Sequence, residues 1–336
     1  GICEYAGQSP EIGPLCGRIK AELSRVNLAP MYNKKRKLFH IGYDAEKSEL
    51  SQSSYDLLMS EARMTSYFAV GTRQVPKKHW GALGRMLARE GSYAGPVSWT
   101  GTMFEYFMPH LLLPAPEGSL QSEALRFCLY CQRRRARHKN APYGCSESGF
   151  YAFDTEFNYQ YKAHGVQRLG LRRGLSEEYV VSPYSTFLTL SLAPGPALRN
   201  LAALEAMGMT GRFGFYEAVD FTARRVGGAG FRTVRSYMAH HVGMSLLAVS
   251  NYLEDGIFRR RFMRDPEMEA ARELMGEKIP SGARIFEDVI RPDVPEKPGR
   301  KTAESEEFTV ISPARPRVQL LSSGEWSLLI TDTGAG

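Results

Sequence analysis

The chain has 336 residues, of which 43% are apolar and 24% are charged, a composition typical of a soluble globular protein. No apolar run reaches the roughly 18 residues that a membrane-spanning helix needs. The formal net charge is +7, but the basic run at residues 133–139 ends a helical pattern, where cations stabilise the helix dipole, so we expect no nucleic-acid partner. The five cysteines, an odd number, argue against a disulfide framework and indicate a reducing compartment.

The first part of the chain predicts one helix and one hairpin. The helix covers residues 15–26, and the hairpin covers residues 32–48. The alternation in the hairpin places Phe39, Ile41 and Tyr43 on one face.

A clearer helical pattern follows at residues 54–70. Ser53 and Asp56 have the spacing of a capping box, and Gly71 is placed to end the helix. On this helix Glu61 would share a face with Leu57, Met64 and Phe68. A carboxylate on an apolar stripe is costly unless it is paired or faces a cavity, so Glu61 is either a hydrogen-bonding group in the core or a site residue.

The remaining pattern predicts many helices and few strands. Helices are expected over residues 77–90, 102–112, 119–137, 183–192, 197–207, 215–223, 234–253 and 266–276. Helices joined by glycine- and aromatic-rich loops favour helical hairpins in a ring, with a pocket at one end. Residues 288–307 are rich in proline and charge and predict a linker, and the strand-like pattern after it breaks off, which indicates a fragment of a longer protein.

Several loops combine aromatic residues with acids. Residues 142–161 carry three carboxylates, Glu147, Asp154 and Glu156, among many aromatic side chains. Aromatic faces stack on sugar rings, and a suitable pair of carboxylates breaks glycosidic bonds, so the stretch fits the wall of a sugar-binding cleft. An aromatic core loop with solvated acids fits the same composition equally well.

Three other segments share this style. They contain Glu105, then Glu217 with Asp220, and then His240 with His241. Adjacent histidines on a helix point about 100° apart and do not hold one metal, so we expect one of them to hydrogen-bond to a sugar or a carboxylate. We expect no metal and no cofactor, since phosphate-loop, dinucleotide and serine-hydrolase motifs are also missing from the sequence.

The order of these motifs resembles a known family. The segments YDLLMSEARMTSY, SWTGTMFEYFMP, GCSESGFYAFDTEFNYQYKAHGVQRLGLRRG, GFYEAVDFT and RSYMAHHVGMSLLAVSN are similar to the glucoamylase-like central region of bacterial cyclic β-1,2-glucan synthases, over residues 30–285. The tail LLSSGEWSLLITDTGAG resembles the start of the phosphorylase-like β-sandwich that follows in those proteins. Residues 1–29 match only loosely, so we expect the first helices of the domain to be incomplete.

The resemblance implies an all-α fold, an (α/α)6 barrel over residues 1–287, a linker over 288–307 and a β-sandwich stub over 308–336. It implies cyclisation of linear β-1,2-glucan by anomer-retaining transglycosylation, with Glu61 of the SEAR motif as acid/base and Glu147 of the SES motif as nucleophile. The residues alone do not choose Glu147 over Glu105 or Glu217. The residues expected to bind substrate are Asp56, Trp99, Phe104, Glu105, Tyr106, Tyr151, Tyr161, Glu217, Tyr237, His240 and His241.

The same resemblance implies partners and a location. The partners are a β-1,2-glucan chain and neighbouring glycosyltransferase and phosphorylase-like domains of one polypeptide. The location is the cytoplasmic face of the bacterial inner membrane, reached through parts of the full-length protein outside this soluble fragment.

Two other functions remain open at this point. One is an inverting endo-β-1,2-glucanase, and the other is a non-catalytic glucan-binding module. We expect Glu147→Gln to abolish transfer and Glu105→Gln mainly to weaken binding.

Overall fold

The computed structural model describes residues 11–285 and two later strands, at 318–322 and 327–331. Helices dominate the first of these parts. They are α1 (Ile12–Arg25), α2 (Arg63–Gly71), α3 (Lys78–Ala82), α4 (Met103–Phe107), α5 (Leu120–Lys139), α6 (Pro183–Phe187), α7 (Pro194–Ala206), α8 (Ala223–Val226), α9 (Ala239–Leu253), α10 (Ile257–Met263) and α11 (Pro266–Ala270).

Short strands connect the helices. They are β1 (Tyr32–Asn33), β2 (Leu38–His40), β3 (Tyr43–Asp44), β4 (Glu49–Leu50), β5 (Ser54–Tyr55), β6 (Leu87–Glu90), β7 (Tyr93–Pro96), β8 (Glu147–Phe153), β9 (Tyr159–Ala163), β10 (Val180–Val181), β11 (Thr210–Gly211), β12 (Gly214–Phe215), β13 (Ala218–Asp220), β14 (Arg232–Val234), β15 (Val318–Ser322) and β16 (Ser327–Thr331). They form two antiparallel three-stranded sheets, β1-β2-β5 and β10-β13-β14, and five hairpins. The all-α expectation is therefore too simple, although helices form most of the core.

Helix α5 lies at the centre of the main hydrophobic core. Ser119 caps its first turn by accepting a hydrogen bond from the Ser122 N–H, and Asn140 ends it in the left-handed conformation. Phe127 and Cys128 of α5 are fully buried. At its basic end Arg135 donates hydrogen bonds to backbone carbonyls of the 165–178 loop, so part of the basic run fixes the fold.

Three predicted helices, α1, α5 and α7, are confirmed with small shifts at their ends. The helix predicted over residues 234–253 is confirmed only from Ala239 onward, as α9, because residues 232–234 form β14. The helix predicted over residues 215–223 is wrong, because residues 218–220 form the central strand of a sheet and pair with β10 and β14. The prediction over residues 77–90 is correct only for α3, since residues 87–90 pair with β7.

The helix predicted over residues 54–70 starts later than expected, at Arg63. Tyr55 pairs with Phe39 in the first sheet, and Leu57 and Met59 form bridges to neighbouring segments. Because these pairings use the backbone before residue 60, Glu61 lies in the turn that precedes α2 and not on an apolar helix face.

The predictions for the N-terminal hairpin and the C-terminal strands have different outcomes. Phe39 is buried, but Ile41 and Tyr43 are exposed, so the three side chains do not share a buried face. The strand pattern near the C-terminus is confirmed for β15 and β16, which pair in antiparallel register from Val318↔Thr331 to Ser322↔Ser327. The predicted linker at 288–307 lies outside the described residues.

Gly165 marks a close contact between two loops. A Cβ atom on Gly165 would overlap the carbonyl oxygen of Thr100. The next residue, Val166, donates its N–H to the Gly101 carbonyl at 3.0 Å. This contact joins the end of β9 to the loop that leads into α4.

Candidate active site

Two carboxyl groups that are distant in sequence lie close enough in this fold to interact electrostatically. Glu61 lies in the turn before α2, and Glu147 is the first residue of β8. Both side chains are partly exposed. The negative charge of Glu61 raises the pKa of Glu147, and both charges act on the hydroxyl of Tyr55. The structure therefore brings together the two glutamates that were predicted to be catalytic.

The Glu61 carboxyl is held by its own turn. Ser60 Oγ donates a hydrogen bond to Glu61 Oε2 at 3.2 Å, and the carboxyl lies close enough to the Tyr55 hydroxyl to raise the pKa of that group. Burial raises the pKa of Glu61, and the charge of Glu105 raises it further, whereas hydrogen bonds and the Arg63 guanidinium oppose the rise. Glu61 therefore holds a proton at higher pH than an exposed glutamate does.

The pKa of Glu147 is raised more than that of Glu61. Burial and the charges of Glu61 and Glu105 raise its pKa to about 7. Its backbone is fixed by pairing with Ala163 across the β8-β9 hairpin and by the Tyr184 hydroxyl, which donates to the Glu147 carbonyl at 3.1 Å. Two carboxyls with raised, coupled pKa values can share one proton near neutral pH.

The Glu105 carboxylate lies just behind this pair and is 4% exposed. It accepts hydrogen bonds from Ser98 Oγ, Thr100 N, Thr100 Oγ1, Thr102 N and Thr102 Oγ1, at 2.7 to 3.1 Å. With the Thr102 hydroxyl it forms the capping box of α4. Four of these bonds end on Oε2 and one on Oε1, so the surrounding loop holds the buried carboxylate, and it acts on Glu61 and Glu147 through its charge.

We expect Glu105→Gln to destabilise the fold by about 1–3 kcal/mol, because the amide group of Gln would face a backbone N–H that Glu105 now satisfies. Urea unfolding followed by circular dichroism measures this loss. Glu117→Gln is the matched control, since Glu117 has an exposed side chain. Equal stability of the two variants would contradict the prediction.

Asp56 and Trp99 form a polar and aromatic pair near the two glutamates. The indole Nε1 of Trp99 donates a hydrogen bond to Asp56 Oδ1 at 2.7 Å, and Trp99 is 47% exposed. Asp56 lies on the same short segment as Tyr55 and Glu61. An oriented and exposed indole is suited to stacking on a sugar ring.

Glu217 and His241 form a second buried pair. Glu217 Oε2 lies 2.9 Å from His241 Nδ1, and Glu217 Oε1 accepts the Gly149 N–H at 3.1 Å. His241 Nε2 is 3.3 Å from the Tyr161 hydroxyl. The expectation that one of the two histidines would contact a carboxylate is confirmed by this geometry.

The other residues that were predicted to bind substrate lie in different environments. Tyr106 is fully buried and donates its hydroxyl to the Pro96 and Leu169 carbonyls, so it lies in the core and does not line the cleft. Phe104 is partly buried and packs against the main core. Tyr151 packs with Phe153 and Tyr159 on the β8-β9 hairpin.

The last two predicted residues lie beside His241. His240 is exposed, with its ring centroid 6.5 Å from that of Tyr161. Tyr237 packs against Phe213 and Tyr216 and lines a cavity of about 190 Å³ next to His241.

The sequence interpretation did not identify three groups near the site, namely Tyr55, Ser146 and Tyr184. Tyr184 stacks on the His241 ring, with centroids 3.8 Å apart and planes at 12°, and its hydroxyl lies 2.7 Å from Ser146 Oγ. Tyr55 and Ser146 are close in sequence to the two glutamates, and this proximity was the available signal. Nothing local in the sequence marks Tyr184.

Within the residues that have described side chains, no group of three or more His, Cys, Asp or Glu residues is arranged to hold a metal ion. The same part of the chain has no helix that is both long and apolar enough to cross a membrane. Within the described residues Cys128, Cys131 and Cys145 are free and buried, and Cys16 is buried.

Two electrostatically coupled carboxyls and an exposed indole in a helical fold are typical of carbohydrate-active enzymes. Residues 53–266 match the family described as putative glucoamylase, and the chain belongs to that family. It is also 39% identical over 309 residues, 91% of its length, to the cyclic β-(1,2)-glucan synthase NdvB of Rhizobium meliloti (strain 1021). The chain spans only 11% of the length of that protein.

Solved structures share the fold at low sequence identity. A putative glucoamylase from Bacteroides caccae has a TM-score of 0.62 and 16% identity, over 81% of this chain and 67% of that one. An endo-β-1,2-glucanase from Chitinophaga pinensis, in complex with sophorotriose and glucose, has a TM-score of 0.61 and 15% identity over the same shares. A putative glucoamylase from Bacteroides fragilis has a TM-score of 0.59 and 19% identity, over 83% and 67%.

Proposed function

We propose that this chain cyclises linear β-1,2-glucan by anomer-retaining intramolecular transglycosylation, within an (α/α)6 barrel of a cyclic β-1,2-glucan synthase. The observation that carries the proposal is the coupled pair of partly exposed carboxyls, Glu61 and Glu147. The similarity to a protein named as a cyclic β-(1,2)-glucan synthase supplies the substrate class.

In the proposed first step, Glu61 donates its proton to the glycosidic oxygen while the Glu147 carboxylate attacks the anomeric carbon. The glycosidic bond breaks, the shortened chain leaves as an alcohol, and a glycosyl ester forms on Glu147. In the second step the 2-hydroxyl at the non-reducing end of the same chain attacks the anomeric carbon, gives its proton to Glu61 and displaces the Glu147 carboxylate. The ring closes, and both carboxyls return to their starting states.

The substrate-binding roles belong to the same proposal. Asp56, Trp99, Phe104, Tyr151, Tyr237 and His240 would contact the glucan. Glu105 would act by its charge, because that charge raises the pKa of both Glu61 and Glu147. Tyr106 has no place in this group, since it is fully buried.

Titration by itself would assign the proton to Glu147, whose pKa rises to about 7, whereas the family resemblance assigns the acid role to Glu61. A slow β-1,2-linked glycosyl fluoride with 5-fluoro substitution at the reacting sugar separates the two assignments, because it keeps O2 for the linkage and accumulates the covalent intermediate. Peptide mass spectrometry after trapping should find the label on the peptide that contains Glu147. A label on the peptide that contains Glu61 would reverse the two roles.

The pH dependence follows from the shared proton. The raised pKa of Glu147 is about 7. Above this pH the Glu61–Glu147 pair has lost its last proton, so no general acid remains. Below the raised pKa of Glu61 both groups are protonated and no nucleophile remains. We expect a bell-shaped profile of kcat/KM with its alkaline limb near pH 7, and a flat profile up to pH 9 would contradict the prediction.

Product analysis tests the overall function. The chain is incubated with linear β-1,2-glucan, and the products are analysed by mass spectrometry. Products that are one water lighter than linear chains of equal length are rings and support the proposal. A catalytically silent protein that binds glucan would instead be a binding module.

An inverting endo-β-1,2-glucanase is the second candidate, because the endo-β-1,2-glucanase from Chitinophaga pinensis shares this fold. The two mechanisms need different carboxyl separations, about 5–5.5 Å for retention and about 6.5–9.5 Å for inversion. Shortened linear products with inverted anomeric configuration, followed by NMR, would favour this candidate over cyclisation.

The domain assignment extends the proposal beyond the barrel. Residues 1–287 would form the transglycosylase domain, residues 288–307 a linker, and residues 308–336, with the β15-β16 hairpin, the start of a phosphorylase-like β-sandwich. Glycosyltransferase and phosphorylase-like domains of the same polypeptide would be its partners, at the cytoplasmic face of the inner membrane.

A further inference from the structure

We propose that Glu217, His241 and Tyr161 form a hydrogen-bonded relay that positions the Tyr161 hydroxyl beside the Glu147 carboxyl. The inference rests on the proposed function only in treating Glu147 as the reacting carboxylate. Glu217 and His241 are then positioning residues, which act on Glu147 through Tyr161.

Glu217 is the fixed end of the relay. Its side chain is 1% exposed, and its two oxygens are used by Gly149 N and His241 Nδ1. A Cβ atom on Gly149 would lie 3.3 Å from Glu217 Cγ and 3.2 Å from Val234 Cγ1, so the glycine makes room for this approach. Glu217 is therefore oriented by the β8 backbone and has no oxygen free for substrate.

His241 links Glu217 to Tyr161 through its two ring nitrogens. Its ring is held between the Glu217 carboxylate at Nδ1 and the Tyr161 hydroxyl at Nε2, at 2.9 and 3.3 Å. The stacked ring of Tyr184 fixes the plane of the imidazole. An ionised Glu217 accepts the Nδ1 proton, which leaves Nε2 to interact with the hydroxyl alone.

The hairpin register places Tyr161 on the same face as Glu147. Glu147 pairs with Ala163, and Gly149 pairs with Tyr161. Residues 161 and 163 project from the same side of β9, so Tyr161 is the diagonal neighbour of Glu147 across the hairpin. The charge of Glu147 raises the pKa of Tyr161, in addition to burial, which agrees with this placement.

The proton on His241 decides what the Tyr161 hydroxyl can do. A neutral His241 with its proton on Nδ1 accepts the phenolic proton at Nε2, and the hydroxyl then has no proton for Glu147. A protonated His241 donates at both nitrogens, and Tyr161 is then free to donate to the Glu147 carboxylate. The titratable groups around this pair are Glu147, Glu217, His240 and Tyr184.

A hydrogen bond donated to a carboxylate favours its ionised form and lowers its pKa. With His241 in its imidazolium form against the Glu217 carboxylate, the relay therefore limits the rise in pKa that burial and the neighbouring acids impose on Glu147. Loss of Tyr161, His241 or Glu217 should raise the pKa of Glu147 by about half to one unit, since one unit corresponds to about 1.4 kcal/mol.

The experiment measures that pKa directly in the whole chain with ¹³C-labelled glutamate by NMR, with Glu147→Gln used to assign the signal. Tyr161→Phe, His241→Gln and Glu217→Gln should each raise the Glu147 midpoint. Adding His241→Gln to Tyr161→Phe should raise it no further, because His241 acts through the phenol. Tyr159→Phe, two residues away on β9, is the matched control and should leave the midpoint unchanged.

An unchanged or lowered midpoint in Tyr161→Phe would overturn the relay, and so would additive shifts in the double variant. Tyr161 is 41% exposed, so its variant keeps the test valid even where His241→Gln fails to fold. The titration needs no turnover, and failure of the relay is therefore distinguished from failure of the proposed cyclisation, which product masses report separately.

Discussion

Replacing Glu147 with Gln should abolish formation of both rings and transfer products, with a loss of more than about 10³-fold in kcat/KM. An amide is a very poor nucleophile at an anomeric carbon, so no glycosyl ester forms and the second step has no substrate. Discontinuous assays of ring products by mass spectrometry measure this loss. Binding of glucan should persist, because the change removes no aromatic side chain from the cleft.

Glu156→Gln provides the matched control for this experiment. Glu156 lies on the same β8-β9 hairpin, in the exposed turn between the strands. It carries the same charge but no contact with Glu61, so its variant should retain wild-type activity. Full activity of Glu147→Gln, or equal losses in the two variants, would remove Glu147 from the chemistry.

Replacing Glu61 with Gln should lower kcat/KM for linear glucan by about 10²–10⁴-fold, the usual contribution of a general acid/base. The loss arises because the leaving oxygen is no longer protonated and because no base receives the proton of the attacking hydroxyl. A β-sophorosyl fluoride should react with much less impairment, since fluoride departs without protonation. Azide, which needs no base, should then capture the glycosyl unit with retained configuration.

This rescue pattern distinguishes an acid/base from a residue that only holds the fold together. Glu49→Gln is the matched control, because Glu49 is an exposed carboxylate on the β3-β4 hairpin of the same region. An equal loss with glucan and with the fluoride would contradict the acid/base role of Glu61. The pKa of Glu147 should also fall in Glu61→Gln, since the charge that raises it has been removed.

Local patterns predicted the longer helices well. Helix α5 has a serine cap, a buried stripe and a basic last turn, and these features depend only on neighbouring residues. The segment before α2 shows where such reasoning fails. Residues 54–60 have helical spacing, but pairing with β2 and bridges to residues 84 and 98 hold them extended. These partners are distant in sequence and leave no local signature.

The candidate site was predictable only where local motifs mark its residues. Glu61 and Glu147 were singled out by their motifs, although the helical argument for Glu61 was wrong, because it precedes the helix. The contact of His241 with a carboxylate was expected, but its partner Glu217 was not identifiable. Glu217 reaches His241 because β13 packs beside β8, and the spacing of residues along the chain does not predict that packing.

The contact at Gly165 limits how the sequence can vary. The strand that carries Tyr161 and the loop that carries Trp99 meet there with space for a hydrogen atom and nothing larger. Alanine at residue 165 would push these two segments apart and disturb the loop that holds the Trp99 indole against Asp56. A library randomised at residue 165 and at neighbouring residues, and selected for ring formation, should therefore retain glycine at residue 165 and accept several residue types at the neighbouring positions.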